Sequence, residues 1–546
     1  MRLATALLTL VYASVLAAIG SATVFSGLHS TGAIVSLALG LIAASLAWWK
    51  TESWPSPPIR LWDGIMLGVF ALASLRAFLW VIYTKGDEVC VLSPNNLGDM
   101  SLHLNFIRYL ASGVPFWPQS PILTGVSLAY PLGADFFNSL FEVTGFDTYR
   151  VLVCTALGGA ALTGFLLWRW GGTFTVAAFL FNGGLAGFVF LQNYAFQDYQ
   201  SELVWKNFFL SMFVTQRGLL VALPAGLLLL TVWREVYFRS GRRILPLWLQ
   251  VLLYAGIPLF NFHAFLFLST ILLVIFLAKS SARRELAAFV ALSFIPATLC
   301  VLLVTACFSA SKITGIWQGI MAGKVFHDWT INYGLTLPLA AVLGVLLFIK
   351  KDVEARCFVW TAIVLFIICC FVKFAPWPWD NMKLVVWAWL ALAPYLWTKL
   401  IAPLPIPARV ALCIALFFSG AVSLVGGLDG RHGYTIAHRS ELDAWRTATR
   451  EISPTATFAV VPDFNNPLIL LGRKVVCGYE GHLWSHGLNY QDKLRRLNLV
   501  LSQSPGWEDD AVDLGADYVV FRKDSDWTKP PEIFDIRPDY KQLPTP

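Results

Sequence analysis

The chain has 546 residues, of which 57% are hydrophobic and 14% aromatic, and its mean hydropathy is +0.64. A soluble fold of this length could not bury so much apolar surface, so the composition excludes an ordinary soluble protein. The net charge of +7 is unevenly spread, because residues 427–546 hold 17 acidic and 14 basic residues and therefore carry −3.

Windows of about 20 mainly apolar residues recur from Leu3 to about Leu424, which predicts a polytopic α-helical membrane protein. Short basic loops such as "WREVYFRSGRR", "KSSARRE" and "KKDVEAR" separate alternate spans, and by the positive-inside rule they face the cytoplasm. We predict a retained first span, because only Arg2 precedes it and no clear small-residue cleavage site follows. The predicted spans, about thirteen in all, lie at 3–20, 31–49, 64–83, 150–168, 172–191, 216–233, 244–260, 264–278, 286–306, 334–349, 357–372, 383–398 and 408–426.

An odd number of spans places the N-terminus in the cytoplasm and the polar tail outside it. We therefore predict two domains, a transmembrane domain over residues 1–426 and a small extracytoplasmic α/β domain over residues 427–546. The outer loop at 84–149 is the longest connection in the membrane part. Its apolar residues recur at helical spacing and predict a helix over 100–111 on the membrane surface, and "ADFFNSLFEV" predicts a second such helix.

Asp99 and His103 lie one helical turn apart at the start of the first of these helices. Asp directly before a helix is a favoured N-cap, so capping alone could explain Asp99. His103 falls on the same helical face, where it could hydrogen-bond with Asp99 or share a ligand with it. An acid at a helix start tends to stay ionised, which suits a general base. The sequence leaves both interpretations open.

Three later stretches place polar side chains at outer ends of predicted spans. Arg217 begins the sixth span, where it could hold phosphate oxygens bidentately or simply snorkel to lipid headgroups. His263 in "PLFNFHAFLF" indicates either a lined cavity or an ordinary turn histidine. Asp380 and Lys383 interrupt the aromatic belt "KFAPWPWDNMKLVVWAW", whose tryptophans either anchor a helix or stack on sugar rings.

The tail has the alternation of a small α/β domain. "TFAVVP", "KVVCG" and "GADYVVF" predict strands, and "QDKLRRLNLVLSQ" predicts an amphipathic helix. A loop at a strand's carboxyl end often binds ligands in such folds, and here that loop is "GYEGHLWSHG". Two of its histidines could hold a metal only with a third ligand, so we expect the loop to cover the membrane cavity and bind acceptor or donor. Its candidate residues are Tyr479, Glu480, His482 and His486.

These motifs resemble the GT-C superfamily of integral-membrane glycosyltransferases. "GDMSLHLNFIRYLASGVPFWPQSPILTGVSLAYPLGADF" is similar to the first outer loop of prokaryotic multi-pass members, and "VTQRGLLVALP", "NFHAFL", "WPWDNMKLVVW" and "GYEGHLWSHG" are similar to other stretches. The resemblance covers most of the chain from about Ile65 onward. It implies an inverting transfer of sugar from a polyprenyl-phosphate donor to an acceptor hydroxyl on the outer face of the membrane.

In that resemblance Asp99 matches the loop carboxylate that acts as general base, and Arg217 and Lys383 would neutralise the departing phosphate. His103 or Glu88 would orient the substrate or a divalent ion such as Mg²⁺ or Mn²⁺, although no metal ligand set is evident in the sequence. Several relatives carry two adjacent acids at the key position, and here the adjacent pair is Asp87 and Glu88. The sequence therefore leaves open which acid does the chemistry.

The resemblance also implies the partners, which are a polyprenyl-phosphate sugar, a glycan, lipid or protein acceptor and membrane lipids, with no nucleic acid. The expected location is the inner (plasma) membrane. Two other functions remain open: a lipid-linked sugar flippase or transporter, and a polysaccharide polymerase or ligase. Ionisable residues deep in the spans and a repeat relating two halves of the chain would indicate a transporter. Basic residues in a large late loop would indicate a polymerase or ligase. The early acidic loop favours the glycosyltransferase.

Overall fold

The computed structural model describes residues 1–55, 57–92, 97–203, 205–308, 325–431, 433–521 and 532–536. Within these ranges, nine helices are long and apolar enough to cross a membrane, or ten if a pair bent by 89° counts as one span. Two shorter apolar helices, α9 and α10, lie among them. The chain is therefore a multi-pass helical membrane protein, and the predicted count of thirteen spans is not confirmed.

The helices of the membrane part and its outer loop are α1 (Arg2–Val24), α2 (Ser30–Lys50), α3 (Leu61–Phe78), α4 (Leu97–Ala111), α5 (Gly133–Glu142), α6 (Thr148–Leu180), α7 (Phe190–Asn193), α8 (Leu219–Phe238), α9 (Leu247–Phe260), α10 (Phe262–Ala278), α11 (Arg283–Val304), α12 (Val325–Tyr333), α13 (Thr336–Ile349), α14 (Val353–Phe371), α15 (Met382–Tyr395) and α16 (Ile406–Gly427).

Helix α6 is broken where two separate spans were predicted. Gly171 and Gly172 have non-helical backbone angles, and Gly172 has φ +71° and ψ −165°, a conformation that glycine adopts far more readily than other residues. The part after the break ends at Leu180 and is followed by irregular chain and a short 3₁₀ turn. The prediction of a span over 172–191 is therefore wrong in its second half.

Helices α4 and α5 form in the outer loop where the sequence predicts them, and Gly113, with φ +78°, follows the end of α4. Their surroundings differ from the expectation of helices with one face open at the membrane surface. Residues 101–107 of α4 are all buried. The helix packs against α5 and against two tail elements, helix α18 (Pro467–Leu470) and strand β3 (Tyr434–His438). The tail thus covers part of the surface of α4.

The tail holds helices around a small sheet, as predicted. The helices are α17 (Arg439–Ala448), α18 (Pro467–Leu470), α19 (Glu480–Ser485), α20 (Gln491–Leu501) and α21 (Trp507–Asp513). The sheet has the order β5-β4-β6-β7, in which β4 is parallel to β5 and β6, and β7 is antiparallel to β6. Its strands are β4 (Thr457–Ala459), β5 (Lys474–Val475), β6 (Tyr518–Phe521) and β7 (Glu532–Asp535).

A second sheet joins the outer loop to the tail. Its strands are β1 (Tyr83–Lys85), β2 (Glu88–Val91) and β3 (Tyr434–His438), paired antiparallel in the order β1-β2-β3. The loop backbone also bonds to the tail after β5, where Gly478 N–H donates to the Ile122 carbonyl at 2.9 Å. One hydrophobic core runs from the membrane helices into the outer loop and the tail. The division into domains at residue 426 remains a prediction.

Candidate functional site

Asp99 lies in the first turn of α4, which begins at Leu97, so it does not occupy the capping position before the helix. Its carboxylate forms no hydrogen bond with another described residue. Burial raises the pKa of Asp99, and the nearby His103, Lys383 and Arg217 oppose that shift. Asp99 therefore lies inside the helix rather than at the position before it, and among the described residues its carboxylate has cationic neighbours but no hydrogen-bond partner.

His103 does not bond to Asp99 as the sequence suggested. Its Nδ1 lies 2.8 Å from Oδ1 and 3.0 Å from Oδ2 of Asp135, in the first turn of α5. The two residues are only 3% and 1% exposed. His103 still lies close enough to Asp99 to interact with it electrostatically. Asp135 was not among the candidate residues predicted from the sequence. The only sign of it was its position as an acid at the start of the second predicted helix.

Two cations face Asp99 from different elements. Arg217 is buried immediately before Gly218, the N-cap residue of α8, and its Nη2 donates to the Val214 carbonyl at 2.5 Å. Its Nε and Nη1 are buried and have no partner within the described ranges. Lys383 lies in the first turn of α15, and its Nζ is 3.1 Å from Oδ1 of Asp380. The unpaired guanidinium nitrogens of Arg217 can still accept an anionic ligand.

A cavity of about 310 Å³ opens beside this cluster. His263 lines it, and its buried Nε2 has no partner in the described part of the chain. Asp99 is not in the lining, but it interacts electrostatically with three residues that are, namely Tyr130, Asp380 and Lys383. The cavity therefore lies between the ends of membrane helices, the outer loop and the tail. Its polar lining residues include Tyr130, Gln216, His263, Asp380, Lys383 and His486.

The predicted loop "GYEGHLWSHG" contains the short helix α19, which reaches the site from the tail. His482 Nε2 lies 3.0 Å from the carbonyl of Gly98, the residue before Asp99, and since a carbonyl can only accept, Nε2 carries the proton. Burial lowers the pKa of His482 to about 4 and that of His486 to about 3, so both imidazoles are neutral at pH 7. The ring of His486 lies 5.0 Å from that of Tyr130.

The other two candidates of this loop have different surroundings. The ring of Tyr479 packs edge-on against His482, with 5.2 Å between centroids. Glu480 accepts a hydrogen bond from the hydroxyl of Tyr490 at 3.0 Å, within the tail. Tyr479 therefore packs against the His482 ring. Glu480 is hydrogen-bonded within the tail, and neither residue lines the cavity.

Glu88 is not brought to the cluster. It lies in β2, opposite His438 of β3, and its Oε2 lies 4.0 Å from the sulfur of Cys90. Its neighbour Asp87 accepts hydrogen bonds from the amide and hydroxyl of Ser440. No interaction between described residues joins Glu88 to Asp99. Of the outer-loop acids named from the sequence, only Asp99 lies with the cations.

The described residues do not fit a divalent metal ion. In these ranges, no group of three or more His, Cys, Asp or Glu side chains is arranged to hold one. The acids nearest the cluster are already engaged, since Asp135 holds His103 and Asp380 holds Lys383.

No family model matches the chain, and no curated protein matches it. Solved structures do align with it, among them one from Archaeoglobus fulgidus and one from Mycobacteria. The crystal structure of the Archaeoglobus fulgidus oligosaccharyltransferase in the apo form aligns with a TM-score of 0.49 and 13% identity, over 86% of this chain and 70% of that one. The cryo-EM structure of the arabinofuranosyltransferase AftD from Mycobacteria aligns with a TM-score of 0.45 and 16% identity, over 87% of this chain and 37% of that one. Both names are those of glycosyltransferases.

Proposed function

We propose that the protein is a membrane glycosyltransferase that moves a sugar from a polyprenyl-phosphate donor to an acceptor hydroxyl on the outer face of the plasma membrane. Asp99 is the general base. Arg217 and Lys383 bind the phosphate, and His263 and His486 line the space for the sugar or the acceptor.

The observation that carries this proposal is the placement of Asp99. A partly buried carboxylate, with no hydrogen-bond partner among the described residues, lies beside two cations and near a cavity at the ends of membrane helices. A raised pKa makes a carboxylate a stronger base once it is ionised. An arginine with two free nitrogens in a buried position suits a phosphate that gains charge as it leaves.

In the proposed reaction Asp99 takes the proton from the acceptor hydroxyl as its oxygen attacks the anomeric carbon. The bond between that carbon and the phosphate oxygen breaks, and its electron pair leaves on the phosphate. Arg217 and Lys383 balance the charge that develops there. Attack from the face opposite the leaving group inverts the configuration of the sugar.

The test is the Asp99→Asn variant, purified in detergent and shown to keep the wild-type thermal unfolding profile. A panel of polyprenyl-phosphate hexoses and pentoses serves as donor, and a lipid and glycan extract serves as acceptor. We expect sugar transfer to fall by about 10²-fold or more, because general base catalysis typically contributes 10²–10⁴-fold, while donor binding persists.

Glu88→Gln is the matched control, since it neutralises the other candidate acid of the same loop. It should keep wild-type turnover. Full transfer by Asp99→Asn, or loss of transfer only in Glu88→Gln, would show that Asp99 is not the base. Movement of a lipid-linked sugar across liposomes without any new glycosidic bond would instead identify a flippase.

A further inference from the structure

The buried pair of His103 and Asp135 takes no part in the bond-making and bond-breaking steps of the proposed sugar transfer. Both side chains are almost fully buried, and they join the two helices of the outer loop, α4 and α5. A buried carboxylate costs free energy unless it is paired, so this pair is a specific arrangement rather than a surface contact.

The hydrogen bond determines where the imidazole carries its proton. A carboxylate accepts only, so Nδ1 of His103 is protonated and donates to Asp135. In the neutral ring Nε2 is then a free acceptor. Within the described chain, Nε2 has no hydrogen-bond partner, and the ring interacts electrostatically with Asp99 one helical turn earlier.

We propose that Asp99, His103 and Asp135 form a proton relay in which Asp135 is a positioning residue for His103. This inference rests on the proposed function, because it starts from Asp99 as the base. Asp99 receives the proton of the acceptor hydroxyl and passes it, through one bridging water, to Nε2 of His103. Asp135 holds the ring in the tautomer that can receive it and balances the charge of the imidazolium.

Protons and electrons balance in this sequence. The acceptor oxygen bonds to the anomeric carbon, and the bonding pair of the departing phosphate leaves with it. The acceptor proton moves to Asp99 and then to His103, and the imidazolium releases it to water before the next turnover. Asp99 thereby returns to its ionised form, ready for the next acceptor.

The surrounding charges explain why Asp135 is needed. Arg217 acts electrostatically on both Asp99 and Asp135, and Lys383 acts on Asp99. An imidazolium next to two cations is unfavourable unless a carboxylate compensates it. Among the described residues, Tyr130, His482 and His486 also act electrostatically on the pair, and Asp380 acts on Asp99; the two histidines are neutral at pH 7.

The first experiment determines the tautomer without turnover. Side-chain ¹⁵N NMR of histidine-labelled protein in detergent, with His103→Gln to assign the signal, should show His103 neutral and protonated at Nδ1 at pH 7.5. In Asp135→Asn that preference should be lost. A wild-type ring protonated at Nε2, or at both nitrogens, overturns the relay.

The second experiment separates a relay from a purely structural pair. Asp135→Asn and His103→Gln should each lower kcat by about 10²-fold with little change in KM. Asp147→Asn is the matched control, because Asp147 is an acid of the same loop that caps α6 by accepting from the Arg150 amide, and asparagine caps equally well. It should retain wild-type kcat.

The outcomes distinguish the relay from the base itself. If Asp99→Asn is inactive but Asp135→Asn and His103→Gln keep wild-type kcat, the relay is wrong and the proposed function stands. If Asp99→Asn keeps full transfer, the proposed function fails, and the relay fails with it even where the NMR shows the expected tautomer.

Discussion

The charges around Asp99 act on its ionisation in opposite directions. Burial raises its pKa, His103, Lys383 and Arg217 lower it, and Asp380 raises it. A general base must be ionised, so activity is lost as the pH falls through the raised pKa. This loss comes at a higher pH than for an exposed aspartate, whose pKa is about 3.9.

Substitution of the two charged neighbours should move the acidic limb of the pH profile in opposite directions. Lys383→Met removes a positive charge and should shift the limb of kcat/KM to higher pH. Asp380→Asn removes a negative charge and should shift it to lower pH. The midpoint is measured independently of the maximal rate, so weaker phosphate binding does not obscure it. Shifts in the same direction, or no shift in either variant, would contradict a titrating Asp99.

At the scale of secondary-structure elements, α19 of the tail secures the start of α4. The His482 imidazole donates to the Gly98 carbonyl, and only the neutral ring is stable in this buried position. The folded pKa of His482 is about 4, whereas an unperturbed histidine has a pKa of about 6.5. Its stabilising effect is therefore complete above pH 6.5 and declines as the pH falls towards 4.

We expect His482→Asn to reduce the dependence of thermal unfolding on pH. The wild type should lose stability between pH 7 and pH 5, because the unfolded chain takes up a proton that the folded chain does not. The variant should lose less over that range. At pH 7.5 it should be less stable by about 1 kcal/mol if asparagine fails to replace the hydrogen bond. The exposed His29→Asn serves as control and should keep the wild-type pH dependence.

Elements with a local pattern could be predicted from the sequence, and long-range pairings could not. The apolar spacing indicated α4, α5 and α20, and the short apolar runs indicated β4 and β6. The sheet that pairs Val89 with Ala437 joins strands almost 350 positions apart, and no local pattern records such a partner. The same holds for the site, since His103 bonds to an acid 32 residues away rather than to Asp99 on its own helix.

At the scale of the whole molecule, charged loops collect at one end and the outer loop meets the tail. Ion pairs join Arg239 to Glu354, Arg242 to Glu52 and Arg243 to Glu285, all in or beside loops that the sequence assigns to the cytoplasm. The outer loop and the tail share a sheet, so they lie on the same side of the membrane. This arrangement agrees with the alternation of loops expected from the positive-inside rule.

The proposed orientation places the site outside the cytoplasm, and cysteine labelling tests it. Ser453→Cys adds a thiol on the exposed tail, and Lys351→Cys adds one in the exposed loop between α13 and α14. Both are made in a background in which the exposed Cys154 and Cys307 are serine, and this background alone should stay unlabelled. In intact cells a membrane-impermeant maleimide should label Ser453→Cys, and it should label Lys351→Cys only after permeabilisation. The reverse pattern would place Asp99 on the cytoplasmic side, where a donor presented at the outer face could not reach it.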